Sequence, residues 1–316
     1  MSQVFAHEPV MVAEVVAGFA TVGSGLLVDA TVGGAGHAVA LLEAYPTLRV
    51  LGVDRDAEAV AAAGERLRRF GGRASVVQAR FDDIAALAGA TAPQDEVVGV
   101  LFDLGVSSPQ LDRARRGFSY RLDGPLDMRM AGDDAGPTAA DLVNGLPTDE
   151  LARLFAANGE GRFARRIAAA VAGARPISST TELAEVVRRA IPAATRRTGG
   201  HPARRVFQAL RIAVNDELDL LARAVPEAVR ILGPGGRCAV VAYHSGEDRI
   251  VKHLFADAVT GGCVCPPGLP CVCGARPVGR LVFRGARRPS AGEVERNHRA
   301  ESARMRLLEK LPAEAA

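Results

Sequence analysis

The sequence predicts an α/β protein, a Rossmann-like doubly wound sheet with an inserted helical domain. Three observations carry that expectation. A glycine-rich loop sits between an apolar run and a helical segment. Further apolar runs of strand length follow, two of them closing on Asp54 and Asp103. The strand pattern then disappears from Leu111 to about Glu217 before it resumes.

The first run, Leu26 to Ala30, carries Asp29 near its end and leads into Thr31-Val-Gly-Gly-Ala-Gly-His37, then into the helical segment Ala38 to Ala44. A second run, Arg49 to Val53, closes on Asp54, twenty positions beyond Gly34. Strand, glycine loop, helix, strand and acid together make a βαβ unit of the kind that binds nucleosides. Glycines let backbone N–H groups approach a ligand, and a carboxylate at the second strand tip accepts both hydroxyls of a ribose. For the loop alone, a plain structural turn is the competing reading.

A helix over Ala57 to Phe70 and a strand over Ala74 to Gln78 come next, followed by Phe81-Asp-Asp83. Phe81 either covers an adenine face or packs in the core, and Asp82 or Asp83 is also placed to cap a helix starting near Ile84. The fourth run, Val97 to Leu104, is almost continuously apolar, as a strand covered on both faces must be. It ends in Asp103-Leu-Gly-Val-Ser-Ser-Pro-Gln110, and in an open parallel sheet the C-terminal strand tips line the ligand crevice. Asp103 and Gln110 are therefore placed to touch cofactor or substrate.

Between Leu111 and Glu217 the chain reads as alanine- and arginine-rich helices broken at Gly124-Pro125, Gly145-Leu-Pro147, Arg175-Pro176 and Gly199-Gly-His-Pro202. The expected organisation is a discontinuous catalytic domain, residues 1–111 and 218–316, around a helical substrate-recognition insert, residues 112–217. The sheet resumes at Gly236 to Tyr243, ending in His244-Ser-Gly-Glu-Asp248.

With 316 residues, the chain is long for a single core, which suits two units. Its net charge is +3, and only Lys252 and Lys310 are lysines, so arginine supplies nearly all the positive charge. A GC-rich genome accounts for much of that bias, but clustering points further. Arg196, Arg197, Arg204, Arg205 and Arg211 lie with His201 in a stretch that holds no acid. Arg284, Arg287, Arg288, Arg296, Arg299, Arg304 and Arg306 crowd the C-terminal region. Both runs suit phosphates.

No uncharged apolar stretch of membrane-spanning length occurs, and the first ten residues lack a signal-peptide pattern, so a cytoplasmic protein with no membrane partner is expected. In that compartment Cys263, Cys265, Cys271 and Cys273 read as a tetrahedral zinc site or as a reduced loop. The C-x-C spacing departs from the usual C-x2-C. Cys238 reads as a buried strand residue.

These residues resemble the bacterial small-subunit rRNA cytosine-N4 methyltransferase family called methyltransferase H, or MraW. The resemblance rests on His7-Glu-Pro-Val, the Asp29 to His37 loop, Asp54-Arg-Asp56, Asp103 through Asp112 and Arg116-Gly-Phe-Ser119. It continues through Gly124-Pro-Leu-Asp-Met-Arg-Met130, His201-Pro-Ala-Arg-Arg-Val-Phe-Gln208 and Tyr243-His-Ser-Gly-Glu-Asp-Arg-Ile-Val-Lys252. It implies a class I S-adenosylmethionine-dependent methyltransferase fold with a helical insert. The implied activity is methylation of N4 of one cytidine of 16S rRNA near the decoding centre, in the small ribosomal subunit. By position, Ala35, Gly36 and His37 line the methionine side of S-adenosylmethionine, Asp54 takes the ribose, Phe81 flanks the adenine, and Asp103 with Gln110 completes the pocket. Two positions depart from the family pattern, which usually has glycine at Ala35 and leucine at Gly246.

Methyl transfer from a sulfonium is an in-line displacement, so holding the acceptor nitrogen in line is the main task. The cytosine N4 lone pair is delocalised into the ring, and a hydrogen-bond acceptor beside the amino group helps it react. Asp103, Ser107, Ser108 and His244 are the candidates, although Ser107-Ser-Pro109 matches only loosely the motif of amino-directed methyltransferases. His244 and Asp248 either meet the base or cap a helix. Arg196, Arg197, Arg204 and Arg205 are the expected RNA contacts, and a homodimer is left open. A nicotinamide oxidoreductase is the rival enzyme, disfavoured because the loop does not fit G-x-G-x-x-G. A cofactor-binding checkpoint factor of ribosome assembly is the rival from another class.

Overall fold

Strand alternation decides the architecture, because side chains on a strand point to opposite faces in turn. The computed structural model describes residues 9–132, 136–192, 201–266 and 271–312. The chain opens with α1 (Val12–Gly18), β1 (Gly25–Asp29), α2 (Gly36–Ala44), β2 (Leu48–Asp54), α3 (Ala57–Leu67), β3 (Ala74–Gln78), α4 (Ile84–Thr91) and β4 (Val97–Asp103). Among the described residues six α-helices follow: α5 (Ser108–Asp112), α6 (Ala139–Gly145), α7 (Thr148–Ala157), α8 (Ala164–Gly173), α9 (Thr180–Ala190) and α10 (Arg204–Asn215). The chain closes with α11 (Glu217–Ile231), β5 (Leu232–Ala242), α12 (Ser245–Thr260), β6 (Gly279–Leu281), α13 (Ala291–Arg296) and β7 (Arg304–Lys310).

Two compact units emerge, one from residues up to Gly105 together with those from Leu218 onward, the other from Val106–Glu217. The first is a seven-stranded sheet in the order β3-β2-β1-β4-β5-β7-β6. Strands β1 to β5 are parallel, whereas β7 runs antiparallel to both β5 and β6. This is the class I S-adenosylmethionine-dependent methyltransferase arrangement of a Rossmann-like sheet. The strand order reverses between β1 and β4, which places the ligand crevice at their carboxyl ends.

Both faces of the sheet are covered, which is why the central strands read as continuous apolar runs. Leu26, Val28, Val100, Phe102, Cys238 and Val240 pack on one side with Ile84 of α4, Leu221 of α11 and Phe255 of α12. Leu27, Val50, Leu101, Ala239 and Val241 pack on the other with Val15 of α1, Leu41 of α2 and Leu67 of α3. Cys238 is fully buried, and burial pushes its thiol far above the ordinary range, which makes it a core residue.

The C-terminal arginine run requires a correction. Its last part, Arg304-Met-Arg-Leu-Leu-Glu-Lys310, is strand β7, with Met305, Leu307 and Leu308 in the core. Arg306 Nε donates to Asp248 Oδ1 at 2.7 Å, and Arg304 donates to Asp248 Oδ2 at 3.2 Å. Both arginines thus join β7 to α12 instead of standing ready for phosphates, and they hold the Asp248 carboxyl below its usual range against the cost of burial. Arg237 of β5 likewise donates to Glu309 of β7 at 2.7 Å and to the carbonyl of Gly18 in α1 at 2.7 Å.

The helical unit has its own core, in which Phe118, Met128, Phe155, Ile167, Leu183, Phe207 and Leu210 are buried. On α10, Val206, Phe207, Leu210 and Val214 form the apolar stripe while Arg204 and Arg205 stay exposed. Asn215, the last residue of α10, accepts from the Met130 N–H at 2.9 Å and donates to the Met128 carbonyl at 2.8 Å. Those two bonds hold Met128 in the left-handed conformation at φ 62°.

Candidate active site

Strands β1, β2 and β4 each end in an aspartate: Asp29, Asp54 and Asp103. Strand β1 lies between the other two, so the three carboxylates gather at one edge of the sheet. Like charges at a partly dry edge raise one another's pKa, and desolvation adds to the effect.

Asp29 is the extreme case, at 1% exposed. Its Oδ1 accepts from the Thr31 N–H at 3.3 Å, while Oδ2 is buried with no hydrogen-bond partner among the described residues. Burial, opposed by His37, moves its pKa from 3.8 to about 7. An orphaned carboxylate oxygen in the crevice suits a cationic or proton-donating ligand group.

Asp54 is half-buried. Its Oδ2 accepts from the Gly33 N–H at 3.0 Å and its Oδ1 from the Asp56 N–H at 2.9 Å, so the acid and the glycine loop lock each other. Desolvation raises its pKa against those two bonds. Asp56 caps α3 by accepting from the Glu58 N–H at 3.1 Å.

In the loop, Gly33 has φ +48°, and a Cβ there would meet the Thr31 carbonyl at 3.8 Å. A Cβ on Gly36 would stand 2.5 Å from the Pro9 ring. Ala35 takes the left-handed conformation, φ 59°, at the N-cap of α2, a geometry that costs an alanine about 1 kcal/mol relative to glycine. The loop therefore keeps the geometry of a glycine at this position. His37, 5% exposed, lies with Nε2 2.9 Å from the Val10 carbonyl and Nδ1 3.5 Å from Asp103 Oδ2.

Asp103 is tied on several sides. Its N–H donates to Thr31 Oγ1 at 2.6 Å, and its Oδ1 accepts from the Tyr243 hydroxyl at 2.7 Å. Asp29, Thr31 and Tyr243 are the site residues to which sequence reasoning assigned no role. Tyr243 stands one place before His244 at the tip of the strand beside β4, which was a usable signal. Thr31 opens the glycine loop, but no signal in the sequence assigned its hydroxyl a role.

Phe81 follows β3 and is half-buried, meeting Phe102 edge to face at 5.8 Å, so one edge of its ring belongs to the core. Asp82 pairs with Arg80 at 2.8 Å and with Arg223 at 3.3 Å, and Asp83 stands at the N-cap of α4 without a capping bond from its side chain. His244 is the N-cap of α12, its Nδ1 accepting from the Gly246 and Glu247 N–H groups at 3.1 and 3.4 Å. Its Nε2 lies 3.1 Å from Glu247 Oε1, but the angle makes no hydrogen bond. A Cβ on Gly246 would stand 3.0 Å from that ring, so the family's leucine requires a small shift of the imidazole.

The remaining candidates belong to the helical unit. Ser107 is the N-cap of α5, its N–H donating to Gln110 Oε1 at 3.0 Å, and Ser108 opens that helix. Gln110 is 6% exposed. Arg205 reaches Glu160 only at 4.0 Å and is 65% exposed, whereas Arg211 is corrected from the basic run because it grips Glu217 bidentately at 2.7 and 2.8 Å. Arg196 and Arg197 lie outside the described residues, as do His7 and Glu8.

The Sγ atoms of Cys263, Cys265, Cys271 and Cys273 all lie within 4.8 Å of one another. Cys271 is 3.5 Å from both Cys263 and Cys273, which are 3.7 Å apart. A zinc tetrahedron with Zn–S of about 2.3 Å has edges of about 3.8 Å.

A sequence model of the MraW methylase family matches residues 4–311. The chain belongs to the MraW methylase family. It is 46% identical over 313 residues to the ribosomal RNA small subunit methyltransferase H of Heliobacterium modesticaldum, covering 98% of this chain and 99% of that one. The protein of the same name from Symbiobacterium thermophilum is 48% identical over 315 residues, covering 98% of each chain. That of Mycobacterium tuberculosis is 52% identical over 293 residues, covering 90% of this chain and 73% of that one. Membership in a methylase family removes the nicotinamide alternative.

Asp29 also makes the methylase pH-sensitive. An unfolded aspartate ionises near 3.8, while the native one keeps its proton to about 7, so the native state binds the extra proton and stability falls as pH rises through that window. Asp29→Asn is expected to flatten that slope in denaturant melts taken from pH 4 to 7. Parallel pH–stability curves for the two proteins would refute the assignment.

Proposed function

We propose that this methylase transfers a methyl group from S-adenosylmethionine to N4 of one cytidine of 16S rRNA, near the decoding centre of the small ribosomal subunit. The observation that carries the reading is the meeting of Asp29, Asp54 and Asp103 around the glycine loop, in a chain that matches the methylase family over residues 4–311. The residues fit that cofactor: Asp54 for the ribose hydroxyls, Ala35, Gly36 and His37 for the methionine portion, and the exposed part of Phe81 for the adenine. The orphaned Asp29 Oδ2 suits the ammonium. When bound, the cofactor supplies an electrophilic methyl on sulfur. Asp103 accepts a hydrogen bond from the exocyclic amino group, raising its nucleophilicity and aligning it. Gln110 keeps its carried-over role as a cofactor contact, and Ser107 and Ser108 stay candidates on the acceptor side. His244 serves by capping α12 and so holding the tip of β5.

Substrate recognition falls to the helical unit, where Arg204 and Arg205 at the exposed start of α10 contact RNA phosphates. The cysteine quartet holds a structural zinc ion. The spacings among Cys263, Cys271 and Cys273 are close to tetrahedral edges, and the Val272 N–H points at Cys265 Sγ at 3.4 Å, the kind of bond that stabilises a metal thiolate.

Three measurements test these readings. Mass-spectrometric mapping of small-subunit RNA should find one N4-methylcytidine that depends on this protein and is lost with Asp103→Ala; identical maps with and without the protein would end the proposal. Charge reversal at Arg204 and Arg205 should lower the log–log salt slope of RNA binding by roughly one per residue and leave cofactor affinity unchanged. Equal loss of both affinities would refute the division of labour. Elemental analysis should return about one zinc per chain, abolished by Cys263→Ser with Cys273→Ser. Four thiols that all react freely in metal-free, folded protein would exclude the ion.

A further inference from the structure

The hydroxyl of Tyr243 does more than satisfy itself inside the sheet edge. It donates to Asp103 Oδ1 at 2.7 Å, one of the shortest side-chain bonds in the site. On the other carboxylate oxygen, His37 Nδ1 stands 3.5 Å away. The ring has a second neighbour: a Cβ built on Gly105 would stand 3.3 Å from the Tyr243 ring, so the chain leaving β4 passes directly over it. Gly105 has φ +98°, a conformation that side-chain-bearing residues rarely adopt, and the Leu104 N–H is bonded to the Val241 carbonyl at 2.9 Å.

Tyr243 is itself fixed from the far side. Glu247, 2% exposed on the first turn of α12, accepts from the Tyr243 N–H at 2.8 Å and from the His244 N–H at 3.1 Å through the same Oε2. A chain of buried polar contacts therefore runs from the start of α12 through β5 to the tip of β4. A carboxylate free to rotate samples several orientations; one held by a phenol on a rigid strand presents a fixed lone pair.

We propose that Tyr243 is a positioning residue for methyl transfer, whose hydroxyl sets the orientation of the Asp103 carboxylate while its ring supports the Gly105 turn. The proposal rests on the reading of Asp103 as the acceptor of the substrate amino group. Tyr243 touches neither cofactor nor base; it acts through Asp103. The phenol donates to the carboxylate, and burial together with the neighbouring Asp103 pushes the phenol's own pKa well above the ordinary value. Other ionisable groups face this pair: Asp29 from β1, His37 from α2, Glu247 from α12 and Glu293 from α13.

The test is Tyr243→Phe, which keeps the ring under Gly105 and removes only the hydroxyl. The variant should melt like the parent and bind S-adenosylmethionine with unchanged affinity. Its kcat on small-subunit RNA should fall roughly 10- to 100-fold with KM little altered. In an Asp103→Asn background the same change should cost almost nothing more, because the residue acts through that carboxylate. Full activity, or an additive loss in the double variant, overturns the inference alone. A parent protein that binds the cofactor yet methylates no small-subunit RNA overturns the functional reading and this inference together.

Discussion

Three carboxylates at the ends of adjacent parallel strands are an electrostatic problem that the first unit has to solve before it can bind anything. Each would repel the others at an edge only partly open to water, and each is handled differently. Asp54 takes two backbone N–H groups, one of them from the glycine loop. Asp103 takes the Tyr243 hydroxyl and faces His37. Asp29, the most buried, has one oxygen unmatched and keeps its proton toward neutrality. The glycine loop, the N-terminus of α2 and the tip of β5 are all arranged around that settlement, so the site's geometry and its charge balance have the same origin.

The same economy of charge runs through the sheet's last strands. Strand β7 reads as polar because it alternates arginine with apolar residues, yet Arg306 and Arg304 neutralise Asp248, and Arg237 answers Glu309 across the β5–β7 pair. Partly buried pairs of this kind add little stability over an apolar isostere, but an arginine or an acid left alone there would be costly. They specify that β7 docks antiparallel beside β5 in one register. Strand β6 then adds at the outer edge, immediately after the cysteine quartet.

Much of this was legible beforehand. The βαβ unit, the parallel strands to Asp103 and the break into helices follow from apolar runs, glycine placement and the acids at run ends. Strand β7 was not legible, because its charged face has the composition of a phosphate-binding surface and only the presence of Asp248 at 2.7 Å shows otherwise. Arg211 failed for the same reason: the acid it grips, Glu217, stands just beyond the run that looked uncompensated. Ala35 departs from the family's glycine in sequence yet keeps a left-handed backbone, which residue identity alone does not reveal.

Local pattern, then, determined the identity of the fold, the position of the glycine loop and the acids at the strand tips, because strand and helix periodicity and the chemistry of a ribose-binding carboxylate are written over short stretches of chain. Which charges are neutralised was decided only in three dimensions. The partners of Asp103 and Asp248 are 140 and 58 residues away, and no local period encodes contacts so distant in the chain. Tyr243 shows the division most clearly. Its place at the end of β5 could be read from the chain, but its hydrogen bond to the tip of β4 exists only because the two strands lie side by side.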